Sequence, residues 1–157
     1  MRDLIHGARV NRRQCMGGLA MSITAGAMAS GSAATALAGE GGAEVDAERT
    51  EEVFNHHLGA FAEGLDAIMA DYTEESVLMT PMDTLRGLDA IRGFFKAFLD
   101  GATPEFWAAF KVNVQVVEGE IAYLVWSSLP SVPLATDTLF VRDGKIAVQT
   151  FTPMVPT

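Results

Sequence analysis

The second half of the chain changes its hydrophobic period, and that change limits the folds open to it. Phe110, Val112, Val114 and Val116 alternate with Lys111, Asn113 and Gln115, the period of two expected of a strand with one wet face. Glu118-Gly119-Glu120 is a hairpin turn, IAYLVWSSL is a more buried strand, and Pro130 and Pro133 bracket a loop. ATDTLFV is another strand, Arg142-Asp143-Gly144-Lys145 carries a D-G turn signal, and IAVQTFT is the last strand. Earlier residues keep a helical period instead. Val53, Phe54, Leu58 and Phe61 share one face, with Glu48, Glu51, Glu52 and Glu63 elsewhere, and Gly64 ends that helix. Leu65 to about Tyr72 is a second, short helix, and SVLMTP is a short strand stopped by Pro81. A turn and TLRG follow. Leu88, Ile91, Phe95, Phe98 and Leu99 then mark a third helix, closed by Gly101. Helices first and antiparallel strands last is an α+β order.

The first forty residues are of a different kind. Arg2, Arg9, Arg12 and Arg13 stand against Asp3 alone, in a chain whose formal net charge is −9. No charge follows from residue 14 to residue 39, and the run is apolar but diluted with Gly, Ser and Thr. A spanning helix wants about 20 strongly apolar residues, and this run is weaker. Ala36-Leu37-Ala38 has the A-x-A form of a signal-peptidase site. Residues 1–38 therefore read as a cleavable export signal, 39–45 as a flexible Gly-rich linker, and 46–155 as one domain. The paired arginines of NRRQCMG resemble a twin-arginine signal, with the general secretory route as the alternative. Cys15, the one cysteine, leaves with the signal, so no disulfide framework is expected. The membrane is expected to be met only during export, and the mature protein to be periplasmic or secreted. The acidic balance argues against nucleic acid, whose phosphates need clustered Lys and Arg.

The order of elements resembles the nuclear-transport-factor-2-like superfamily, and more closely its SnoaL-like branch. The resemblance rests on AFAEGLDAIMADYTEESVLMTP, LRGLDAIRGFF and DTLFVRDGKIAVQTF, and covers about residues 46–153. It implies a strongly curved antiparallel sheet wrapped around three N-terminal helices, a cone with an apolar pocket at its open end. It also implies dimerisation through the sheet face. Because the face bearing Lys111, Asn113 and Gln115 is polar, such an interface should be wet. The fold alone does not give a reaction: relatives include ketosteroid isomerases, polyketide cyclases, epoxide hydrolases and dehydratases.

In the isomerases the base is a carboxylate on the first strand, just before a proline. Here that position is Thr80, which does not abstract a proton at neutral pH, so the isomerase mechanism is not carried over. The resemblance places His57, or His56 by an ungapped count, at the position of a first-helix tyrosine in the isomerase oxyanion hole. It places Asp137, or Thr136, at the late-strand aspartic acid. Helical geometry favours His57, four residues from both Val53 and Phe61. Asp137 shares a strand face with Leu139 and Val141. A His57–Asp137 pair in an apolar pocket would be a candidate general base. The plainer alternatives are a hydrogen-bonded core histidine, and an Asp137 that caps a strand or pairs with Arg86 or Arg92. His56, Met79, Met82, Phe95, Trp107 and Trp126 are the candidate ligand contacts, Met79 and Met82 because they flank the strand that floors the pocket in relatives. No metal is expected, since adjacent helical histidines diverge by roughly 100°. No nucleotide or phosphate motif appears, so no cofactor is expected. Three functions remain: cofactor-independent acid–base chemistry on a small hydrophobic molecule, non-catalytic binding of such a molecule, or a dimerisation module.

Overall fold

The structure, a computed structural model, describes residues 38–154. The export signal expected over residues 1–38 lies, but for Ala38, outside the described residues. Helix α1 spans Ala38–Ala60 and buries Val53, Phe54, His57 and Ala60 along one stripe. Residues 39–45, expected to be a flexible linker, fall inside this helix. Each glycine there costs about 1 kcal/mol relative to alanine. Extending a formed helix is nevertheless far easier than nucleating one, and the packed turns from the buried Thr50 onward provide the nucleus.

Gly64, at φ 111°, reverses the chain, a backbone conformation that costs glycine little. Helix α2 (Leu65–Met69) then runs back along α1 and buries Ile68 and Met69. Strand β1 (Val77–Met79) pairs with β2 (Thr84–Arg86), so the TLRG stretch, to which the sequence assigns no element, opens with a short strand. Helix α3 (Gly87–Gly101) buries Ile91 and Phe95. Helix α4 (Pro104–Ala109) is a fourth helix where three were expected. Its signals are in the sequence. The Thr103 side chain accepts a hydrogen bond from the Phe106 N–H at 3.2 Å, and Pro104 occupies the first turn.

Four long strands follow: β3 (Phe110–Glu118), β4 (Ile121–Ser128), β5 (Val132–Arg142) and β6 (Lys145–Met154). The sheet order is β2-β1-β6-β5-β4-β3. All pairs are antiparallel except β1 with β6, which is parallel. The expected curved sheet is present, unclosed, with the helices on its concave side. Phe54, Ile68, Leu78, Ile91, Leu139 and Ile146 are completely buried between them.

One strand departs from its sequence pattern in a way that matters. The β3–β4 register slips between Val112 and Val114, leaving Asn113 as the extra residue. A bulge of this kind advances the strand by one residue and exchanges its faces. Phe110 and Val112 face the helices before the bulge, and Gln115 and Val117 face them after it. Val114 and Val116 therefore turn outward. The expectation that Gln115 lies on a polar outer face is overturned. Beyond the bulge that outer face is apolar, with Val114, Val116, Ile121 and Tyr123 all substantially exposed.

Candidate functional site

A cavity of about 440 Å3 lies between α1, α3, α4 and the concave face of the sheet. Nine aromatic side chains line it, including Phe61, Phe95, Trp107 and Trp126. They are arranged mostly edge to face: Phe61 meets Phe95 at 5.8 Å and 73°, and Phe98 meets Trp107 at 6.0 Å and 76°. Such contacts stabilise a wall beyond its buried area. Among the expected ligand contacts, Phe95, Trp107 and Trp126 are in this wall.

The polar groups of the wall are few. Asp137 points inward from β5, on the face it shares with Leu139 and Val141, as the strand period predicts. Its Oδ2 accepts the Trp126 indole N–H at 2.7 Å, and its Oδ1 accepts a Gln149 amide N–H at 2.9 Å. The Tyr72 hydroxyl donates in turn to Gln149 Oε1. Both carboxylate oxygens of Asp137 thus accept an N–H, the arrangement that suits its ionised form. Burial works the other way and pushes its carboxyl up, opposed by the Trp126 and Gln149 hydrogen bonds and by His57. Burial also holds the Tyr72 phenol well above its ordinary range, and the nearby charges of Asp137 and Asp71 add to this.

His57 reaches the same cavity from α1, almost fully buried. Its ring meets Phe61, Tyr72 and Phe95 edge-on at 5.3, 5.7 and 5.8 Å. Among the described residues no hydrogen bond joins it to Asp137; the two groups face one cavity separately. The carboxylate that holds it is Asp71, just after α2. Asp71 Oδ2 accepts from His57 Nδ1 at 3.2 Å, and Asp71 Oδ1 accepts from His56 Nδ1 at 2.6 Å. This geometry places a proton of His57 on Nδ1, facing the carboxylate, and turns Nε2 away from Asp71. Among the described residues no protein group bonds to Nε2. No local period points to Asp71, although a signal exists: His57 lies seven residues before Gly64 and Asp71 seven after it. A tight reversal at Gly64 brings such positions together.

Three expected ligand contacts lie elsewhere. His56 projects from the next position of α1, does not line the cavity, and has a half-exposed side chain. Met79 ends β1 beyond β6 and is partly exposed, and Met82 sits at the tip of the β1–β2 turn, 93% exposed. Neither lines the cavity, because β1 and β2 extend the sheet past its concave centre. Arg92, a possible partner for Asp137, instead reaches Asp66 at 2.6 Å on the surface. Gln115, turned inward by the bulge, joins the wall unannounced by its sequence pattern.

No family model and no curated protein matches the chain. Solved structures do. It is similar to a nuclear-transport-factor-2-like protein of unknown function from Burkholderia xenovorans, with TM-score 0.58 and 22% identity over 72% of this chain and 88% of that one. A SnoaL-like protein of unknown function from Burkholderia thailandensis gives 0.54 and 14%, over 68% and 95% of the two chains. A candidate polyketide cyclase from Sinorhizobium meliloti gives 0.53 and 19%, over 64% and 93%. At these identities the likeness is one of fold: a cone-shaped α+β fold shared with nuclear-transport-factor-2-like and SnoaL-like proteins.

Proposed function

We propose that the cavity carries out cofactor-independent acid–base chemistry on a small apolar molecule with one polar handle. The observation that carries this reading is the Asp71–His57 pair. A histidine buried in an aromatic wall has its Nδ1 fixed by a carboxylate, which leaves Nε2 to take a proton from a bound molecule. Asp137, with Trp126 and Gln149 behind it, holds the handle. The nine aromatic rings exclude water and bury the apolar body. The similarity to a candidate polyketide cyclase supports this class of reaction without choosing a substrate. The test is deuterium uptake. Small aryl ketones that carry a hydroxyl or amino donor for Asp137 beside acidic α-hydrogens are incubated with the mature protein in D2O, and exchange is followed by NMR. Exchange above the buffer rate supports the reading; a panel of such ketones that binds without exchange favours a carrier.

The mature protein is further proposed to be an exported homodimer. The export reading rests on the arginine-led, A-x-A-ended first 38 residues. Dimerisation rests on the apolar outer face made by Val114, Val116, Ile121 and Tyr123, which is drier than the polar strand face its sequence suggests. One preparation from an expressing bacterium checks both. Intact mass should place the N-terminus near Gly39, and sedimentation should give twice the chain mass, reverting to one in Tyr123→Glu. A chain that keeps residues 1–38, or sediments as a monomer throughout, overturns the corresponding part.

A further inference from the structure

The cavity holds a buried acidic group, Asp137, whose hydrogen-bonded partners, the Trp126 indole and the Gln149 amide, are both neutral. Among the described residues no salt bridge reaches it. The charged residues of the wall are Asp137 and Glu63, and neither lysine nor arginine is among the lining residues. Arg92 and Lys96 of the neighbouring helix α3 are engaged outside, with Asp66 and Asp100. The one titratable base in the wall is His57, whose Nδ1 already serves Asp71. A carboxylate removed from water is strongly disfavoured unless a countercharge faces it, and neutral hydrogen bonds compensate only in part. The open side of Asp137 is the cavity itself.

The space is walled by aromatic rings, the side-chain type whose faces attract an organic cation. Trp126 and Phe151 lie parallel within 6°, their centroids 6.1 Å apart, and Phe94 and Phe95 pack beside them. An organic cation within about 6 Å of such ring faces is attracted by their quadrupoles, most strongly when water is excluded.

We infer that the ligand of this cavity is an organic cation, a protonated amine or quaternary ammonium on an apolar body, with its charge against Asp137 and its body among the aromatic rings. This specifies the polar handle of the proposed function. It takes the cavity as a ligand site and does not require turnover there. Burial is what pushes the Asp137 carboxyl up, and a cation in the cavity would draw it down again.

The experiment compares two molecules of nearly one shape, benzyltrimethylammonium and neopentylbenzene, on the mature wild-type protein. Trp107 and Trp126, the two tryptophans of the chain, both line the cavity and report binding by fluorescence; calorimetry gives the affinities. The cation is expected to bind at least about tenfold more tightly, and Asp137→Asn is expected to remove most of that preference while the neutral isostere binds as before. The wild-type comparison stands alone should the variant fail to fold. Equal or tighter binding of neopentylbenzene overturns the cation and leaves acid–base chemistry at His57 intact. A preference undiminished in folded Asp137→Asn overturns the role of Asp137. Binding of neither probe at millimolar concentration overturns the inference together with the ligand site itself.

Discussion

His57→Gln is expected to slow deuterium uptake by a bound carbon acid about 10²- to 10⁴-fold, the range spanned by removal of a positioned general base. Glutamine is the informative replacement. Its side-chain amide can still donate to Asp71 Oδ2, the bond that His57 Nδ1 makes at 3.2 Å, and it fills most of the same space against Phe61, Tyr72 and Phe95. What it lacks is a basic nitrogen directed into the cavity. Binding of ligand, read from tryptophan fluorescence, should change by less than the rate does, because the aromatic wall and Asp137 are untouched. Asp137→Asn should show the opposite balance, weakening binding more than it slows exchange. A His57→Gln protein that exchanges within about threefold of the wild type would remove the histidine from the chemistry and return it to the role of a hydrogen-bonded core residue.

The parts of this site that can be read from sequence are those fixed by a local period. His57 falls four residues from Val53 and from Phe61, so a helix that buries those two turns the ring inward as well. Asp137 alternates with Leu139 and Val141, and a strand with one buried face directs it to the core. Non-local pairing is not written in either period. Asp71 meets His57 only because Gly64 folds α2 back along α1. The bulge is hidden more thoroughly: Val112, Val114 and Val116 continue an unbroken alternation in the sequence while the backbone slips by one residue between the first two. That slip moves Gln115 into the cavity and the valines onto the outer face. Met79 and Met82 illustrate a third limit, since resemblance transfers a strand more safely than it transfers what flanks it. The strand is where it was expected, and Met79 at its end and Met82 beyond it face solvent.

Asp71→Ala is expected to lower the unfolding free energy by on the order of 3 kcal/mol, measured by urea denaturation at neutral pH. The carboxylate is almost fully buried and accepts from two imidazoles at once. Alanine leaves the buried Nδ1–H of His57 without an acceptor in an aromatic environment, and an orphaned buried donor costs about 1–3 kcal/mol. The His56 side chain is half exposed and finds water, so its share of the loss is small. The Ile146 N–H bond to the backbone carbonyl of residue 71, at 2.8 Å, survives the substitution and keeps the segment after α2 in place. The comparison that decides the matter is with the surface. Arg92–Asp66 is geometrically as short, at 2.6 Å, but Asp66 is 92% exposed there, and a pair in that setting contributes no more than about 1 kcal/mol. Asp71→Asn should fall between the two, since its one carbonyl oxygen can serve one ring and His57 is the ring that cannot turn to solvent. The variants also separate support from chemistry. In Asp71→Asn the His57 Nδ1–H keeps an acceptor, and nitrogen chemical shifts should still report the Nδ1–H tautomer. In Asp71→Ala that preference should be lost, and deuterium exchange at the cavity should fall with it even under conditions where the protein remains folded. An Asp71→Ala protein as stable as Arg92→Ala, with His57 still in a single Nδ1–H tautomer, would mean that this carboxylate does not hold the ring.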